Sequence, residues 1–189
     1  MEETKEIDIL DIDLLGINND VDNNINVGID VDGTLTKEII GRDILESLSY
    51  HEVEKAMLDC TPQNGIDILF DDTLLGNNCN IYIITGRQEE YRCVTAEWLN
   101  VYGVPYDELI MFPNGFYKLN GYSIPKYIDL KIDIHIQKNI HYSLDDNDRV
   151  ITALNEHGIF ACQVTDNFKE AFEKVLKLNK ILKMKIIKS

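Results

Sequence analysis

The chain has 189 residues, 44% hydrophobic and 27% charged, which is the length and composition of one globular domain rather than a disordered segment. Its 18 Lys and Arg stand against 33 Asp and Glu, and a net charge of −15 makes it a poor general ligand for a phosphate backbone. No run of 18 apolar residues is present to span a membrane, and the four cysteines fall in no CxxC or zinc spacing, as expected for reduced thiols in a cytoplasmic protein.

Residues 1–24 hold eight acids against the single Lys5, so positions 1–25 read as an acidic extension, of the wrong sign for a signal or transit peptide. An Asn-rich stretch over 18–26 leads into the domain proper, 26–189. Val27-Gly28-Ile29 is a buried strand that runs into Asp30. Residues 37–60 are available for a small cap or insert, within which Ser49-Tyr50-His51-Glu52 is a capping box that starts a helix. Thr61-Pro62 predicts a further helix, with Ile66, Phe70 and Leu74 on one stripe and Gly76 as its stop. Ile81-Tyr82-Ile83-Ile84 is a second strand, and Tyr91, Val94, Trp98 and Tyr102 make the stripe of the helix that follows. Strands over 140–144 and 159–162 flank a helix built on Val150, Ile151 and Leu154 and closed by Gly158. Six lysines and no acid occupy 174–189, a basic end that is either solvated or, through Leu178, Ile181, Leu182 and Ile186, a docking segment for an anionic surface. The alternation of buried strands and helices predicts an α/β fold with a mainly parallel sheet, whose ligands bind beyond the carboxyl ends of the strands.

Three strand ends carry distinctive polar residues. Asp30-Val31-Asp32-Gly33-Thr34 places two carboxylates at i and i+2, facing one cavity, where they are costly together unless a cation joins them. A hard divalent ion with oxygen ligands, Mg²⁺ first, suits that pair. Thr85-Gly86-Arg87 follows the second strand, with a hydroxyl and a glycine N–H able to hold phosphate oxygens. Asp145-Asp146-Asn147-Asp148 follows the third, and offers acids to complete a metal shell or a cap for the next helix.

Together these clusters resemble the motifs of the haloacid dehalogenase superfamily: its DxDGT string, its Thr-bearing second strand end and its acidic DD motif, over residues 26–165. Asp at both positions of the first motif resembles the phosphatase branch. The resemblance implies a three-layer αβα Rossmann-like domain with a minimal cap and a Mg²⁺-dependent phosphohydrolase. Asp30 is then the nucleophile that becomes an aspartyl phosphate, and Asp32 the general acid and base. Asp30, Asp145, Asp146 and the Asp32 carbonyl hold the metal, while Thr85, Gly86 and Arg87 bind phosphate. The superfamily also requires one lysine, and two are candidates. Lys131 lies 14 residues before Asp145, as in compact members, and Lys126 lies 19 before it, as in the polynucleotide phosphatase branch. The helix implied there meets a period-two alternation of Ile128, Leu130, Ile132, Ile134 and Ile136. His135 and His141 read as packed histidines, and Trp98 as core.

The short insert predicts an open site, suited to a macromolecular phosphate end or to a small molecule enclosed by a homo-oligomer partner. The stretch 85–107 resembles small nucleotidases, and parts of it, with 158–164, resemble polynucleotide 3′-phosphatases. The acidic composition favours a small phosphate ester, such as a nucleotide, over a nucleic-acid end. An alternative of another class is a catalytically idle domain that uses the fold to bind a partner.

Overall fold

The computed structural model describes residues 25–71 and 79–186. The acidic segment 1–24, most of the Asn-rich stretch, and Leu74 and Gly76 lie outside the described residues, as do the side chains of Ile181, Leu182 and Ile186. One sheet is built from β1 (Ile25–Ile29), β2 (Cys79–Gln88), β3 (Glu108–Phe112), β4 (Tyr142–Asp145) and β5 (Phe160–Gln163). Its order is β3-β2-β1-β4-β5, and every neighbouring pair is parallel. The chain moves outward from β1 to β3 and then returns to lay β4 on the other side of β1. That reversal creates a crevice at the carboxyl ends of β1 and β4, the usual place for a ligand in an open α/β sheet.

Among the described residues the helices are α1 (Arg42–Ser47), α2 (Tyr50–Leu58), α3 (Arg92–Val101), α4 (Phe116–Asn120), α5 (Ile124–Gln137), α6 (Asp148–Glu156) and α7 (Phe168–Ile186). Alternate strand residues feed two cores. Val27, Ile29, Ile81, Ile83, Leu109 and Leu144 join Trp98, Phe168 and Phe172 on one face. Ile84 joins Ile132, Ile140, Val150 and Leu154 on the other. Both faces are therefore covered by helices, which is why these strands read as continuous apolar runs.

Four expectations change. Residues 108–112, for which the sequence predicts no element, form a fifth strand at the sheet edge. Among the described residues the helix expected from Pro62 does not begin there: Thr36 and Pro62 form an antiparallel bridge, and the Gln63 N–H donates to Leu35 O at 2.7 Å. The chain turns helical only at a 3₁₀ segment, Ile66–Phe70, after Gly65 at φ 81°. The alternating isoleucines of 128–136 sit on α5, started by Ser123 with proline in its first turn. At the basic end, Leu178, read as part of a docking segment, packs against the same core as the buried Phe168, Phe172 and Val175 that precede it on α7.

Candidate active site

β1 delivers Asp30 into the crevice, its N–H donating to Leu144 O of β4 at 2.9 Å. The following loop folds around one carbonyl: Val31 O accepts the N–H groups of Thr34, Leu35 and Thr36 at 3.2, 2.9 and 2.9 Å. Gly33 makes this turn at φ 79°, and a Cβ there would lie 2.5 Å from Asp146 Oδ2, so the glycine also admits the second acidic strand end. Glu38 latches the loop to the next segment, its carboxylate accepting from Thr61 N–H at 2.6 Å and Thr61 Oγ1 at 2.7 Å.

Lys131 comes up from α5 beneath this loop and is fully buried. Its ammonium donates to Asp30 Oδ1 at 2.9 Å and to Asp145 Oδ2 at 2.5 Å. Burial works against that charge, but Asp145 and Asp30 outweigh it and hold the Lys131 pKa above the ordinary lysine value. Burial likewise drives the Asp30 pKa well up, with Lys131 opposing and Asp145, Asp146 and Asp32 adding to the rise. Tyr127 lies over the ammonium, 5.3 Å from nitrogen to ring centroid. One turn on, His135 bonds through Nδ1 to Lys131 O at 2.7 Å and through Nε2 to Ser143 Oγ at 2.9 Å. Its pKa falls to about 4 through burial, so it is a neutral strut. Gly28 leaves room at this point, because a Cβ there would lie 3.0 Å from His135 Nε2, 3.1 Å from Ile84 Cδ1 and 3.3 Å from Ile140 Cγ2.

Carboxylate oxygens of Asp30, Asp145 and Asp146 lie within 4.8 Å of one another. Three acids face one lysine, and burial followed by the proximity of Asp145 lifts the Asp146 pKa to about 6. An all-oxygen donor set with surplus negative charge fits a hard divalent cation such as Mg²⁺.

The end of β2 supplies the other wall. Pairing with β3 shifts register between Thr85 and Gln88, so Gly86 and Arg87 leave the ladder as a bulge. Gly86 is required by its neighbours: a Cβ would lie 2.7 Å from both Tyr117 Oη and Tyr127 Cε2. Tyr117 Oη donates to Gly86 O at 2.8 Å and pins the bulge. Thr85 is wholly buried, its Oγ1 accepting the Arg87 N–H at 3.2 Å. Arg87, expected among the phosphate-binding groups, turns its guanidinium to Asp32 instead, with Nη2 2.7 Å from Oδ1 and Nε 3.0 Å from Oδ2.

The sequence-predicted residues Asp30, Asp32, Gly86, Arg87 and Asp146 share a cleft of about 350 Å³, with Lys131 and Asp145 directly beneath Asp30. Lys126, by contrast, is exposed in the first turn of α5. Asp32 stands in the cleft with its carboxylate outside the three-acid cluster, paired to Arg87. The insert contributes Ile39, Ile40, Leu45 and Met57 to one wall. Sequence reasoning passed over Tyr117, Tyr122 and Tyr127, which line the opposite wall. Their signal was there: three tyrosines within eleven residues, next to Gly115 and Gly121, in a stretch with no helical or strand period.

The sequence profile of the polynucleotide kinase PNKP phosphatase domain matches residues 26–168, three-quarters of the chain and every residue of this site. The chain belongs to that family. It is thus a phosphatase-type domain of the haloacid dehalogenase superfamily, and the parallel five-stranded sheet is the fold expected of one. No curated protein matches it in sequence. Among solved structures, it is similar in fold to a chain of the Pnkp1/Rnl/Hen1 RNA repair complex, at 20% identity and TM-score 0.50 over 76% of this chain and 43% of that one. A second structure of the Pnkp1/Rnl/Hen1 complex gives 20% and 0.49, with 76% and 47% covered. The HAD domain of effector protein Lem4 from Legionella pneumophila gives 18% and 0.48, with 82% and 94% covered. The chain thus spans under half the length of the Pnkp1/Rnl/Hen1 chains it resembles.

Proposed function

We propose that this domain is a Mg²⁺-dependent phosphohydrolase that removes the terminal phosphate of a nucleic-acid strand through a phosphorylated Asp30. The observation that carries the reading is the grouping of Asp30 with Lys131, Asp145 and Asp146 at one strand end. Membership of a family named for polynucleotide kinase favours a strand end as substrate.

In this reading Asp30, Asp145 and Asp146 hold the metal, with the Asp32 carbonyl as a further donor. Bound there, Mg²⁺ supplies the positive charge that lets a carboxylate approach a phosphate. Asp30 attacks phosphorus, and the ester oxygen leaves with a proton from Asp32. Asp32 then takes a proton from the water that hydrolyses the aspartyl phosphate. Arg87 holds the Asp32 carboxylate in place in the cleft, which supports a fixed position for this acid. Lys131 offsets the charge of the phosphoryl group, and the Thr85 hydroxyl and the Gly86 N–H bind its oxygens. One such contact in a preorganised site contributes on the order of 3 kcal/mol to the transition state.

A second reading is a free nucleotide as substrate, favoured by the net charge of −15 and by a cleft whose lining cation, Arg87, is paired with Asp32. The test is phosphate release, with and without Mg²⁺, from 3′- and 5′-phosphorylated oligonucleotides, mononucleotides and an aryl phosphate. Release from oligonucleotides ahead of mononucleotides supports the strand end. The reverse order supports the nucleotidase. Metal binding without turnover of any ester is the result expected of an idle binding domain.

A further inference from the structure

Beyond its acidic floor the cleft is walled with tyrosine. Tyr91 carries Tyr50 on one face, the ring centroids 5.2 Å apart and the planes 16° apart. Tyr122 lies on Tyr117 in the same way, at 5.1 Å and 11°. Tyr91, Tyr117 and Tyr122 all line the cavity that holds Asp30. The two pairs come from separate elements, the first from α2 and the turn after β2, the second from α4 and the loop behind it.

Tyr122 is held there by an unusual backbone. Its φ is 55°, directly after Gly121 at 60°, so two successive left-handed residues end α4. Glycine and asparagine are at ease in that region, whereas a bulky aromatic residue is a rare and strained occupant. The turn is closed by the Tyr122 N–H, which donates to Tyr117 O at 3.2 Å, and its outcome is to fold one ring back on the other. The Tyr117 hydroxyl in turn anchors the stack to Gly86, beside the acidic cluster. Strain retained at a cleft wall marks a residue whose side chain is needed at that place. The rim adds exposed Ile39 and Ile124, apolar surface that suits the face of a ring. A volume of about 350 Å³ is at the small end of ligand pockets and has room for about one nucleoside.

We infer that the Tyr117–Tyr122 stack is a nucleobase subsite, on which the base of the terminal nucleotide lies while its phosphate meets Asp30. The inference rests on the phosphatase reading above and adds the group that the cleft recognises. Stacking is tolerant of base identity because every base has a π-face, so the subsite detects that a base is present rather than which one.

The test compares two phosphorylated oligonucleotides that differ only at the last residue, thymidine in one and an abasic sugar in the other. Wild type is expected to favour the base-bearing strand about tenfold in kcat/KM. That ratio collapses toward one in Tyr122→Gly and Tyr122→Asn, which relax the backbone and remove the ring, while Tyr122→Phe keeps it. Equal use of the two strands by wild type, or an undiminished ratio in Tyr122→Gly, overturns the subsite. Turnover of neither strand by wild type is instead a failure of the phosphatase reading. The subsite is then judged by thymidine monophosphate binding, followed through the tyrosine ring resonances: binding lost in Tyr122→Gly upholds it, and no binding to wild type overturns it.

Discussion

Arg87 clasps Asp32 with both arms of its guanidinium, Nη2 at 2.7 Å from Oδ1 and Nε at 3.0 Å from Oδ2, and both side chains are largely shielded from water. Its third nitrogen donates to Thr95 Oγ1 at 3.3 Å, so α3 sets the orientation of the pair. This planar, two-point grip is one that lysine cannot reproduce. Arg87→Lys and Arg87→Ala are both expected to lower kcat by about 100-fold through a misplaced Asp32, with a smaller change in KM. Steady-state kinetics check this, and full activity in Arg87→Lys contradicts the positioning role.

Lys131 and Lys126 make opposite predictions. Removing the Lys131 ammonium leaves Asp30 and Asp145 facing each other without water, which costs about 3–5 kcal/mol. Lys131→Met is therefore expected to lower the thermal midpoint sharply in metal-free buffer and to regain part of it with Mg²⁺. Lys126 is exposed, and Lys126→Ala is expected to alter stability by less than about 0.5 kcal/mol and to leave turnover intact. Denaturation curves with and without Mg²⁺, beside activity assays, separate the two.

In the proposed metal site, Asp146 would set a pH window for metal binding. Burial, then Asp145, holds its folded pKa at about 6 against an ordinary value of 3.8. Between those values the folded state keeps a proton that the unfolded chain has released, so the stability contributed by this group declines as pH rises from about 4 to 6. A divalent ion binds the ionised carboxylates and counteracts that decline. Mg²⁺ is expected to raise the thermal midpoint markedly at about pH 7.5 and little at about pH 4.5. Equal shifts at the two pH values contradict a metal site that includes Asp146.

Much of the fold was legible because its strands are continuous apolar runs that end in polar residues, as in Val27-Gly28-Ile29-Asp30. The capping box was legible too, and the Ser49 N–H donates to the Glu52 carboxylate at 2.8 Å. Residues 61–65 misled because Thr61-Pro62 carries a helix-start signal, while the bridge from Pro62 to Thr36 holds the chain extended there and the left-handed Gly65 then turns it. α5 misled for another reason. Its isoleucines alternate, but burial follows the helix: Ile132 and His135 are buried while Ile136 is 56% exposed. Of the site, the acids lie in two short strings and could be found by local motif. The pairing of Arg87 with Asp32 and the anchoring of Tyr117 on Gly86 could not, since each contact joins residues far apart in the chain.

The central claim, that Asp30 becomes phosphorylated, can be measured directly. The protein is mixed with a radiolabelled phosphate ester and Mg²⁺, quenched in acid within one turnover, and digested for peptide mapping. Label bound covalently to the peptide that contains Asp30, labile in alkali and absent in Asp30→Asn along with phosphate release, is the predicted result. Phosphate release by Asp30→Asn at the wild-type rate would contradict it.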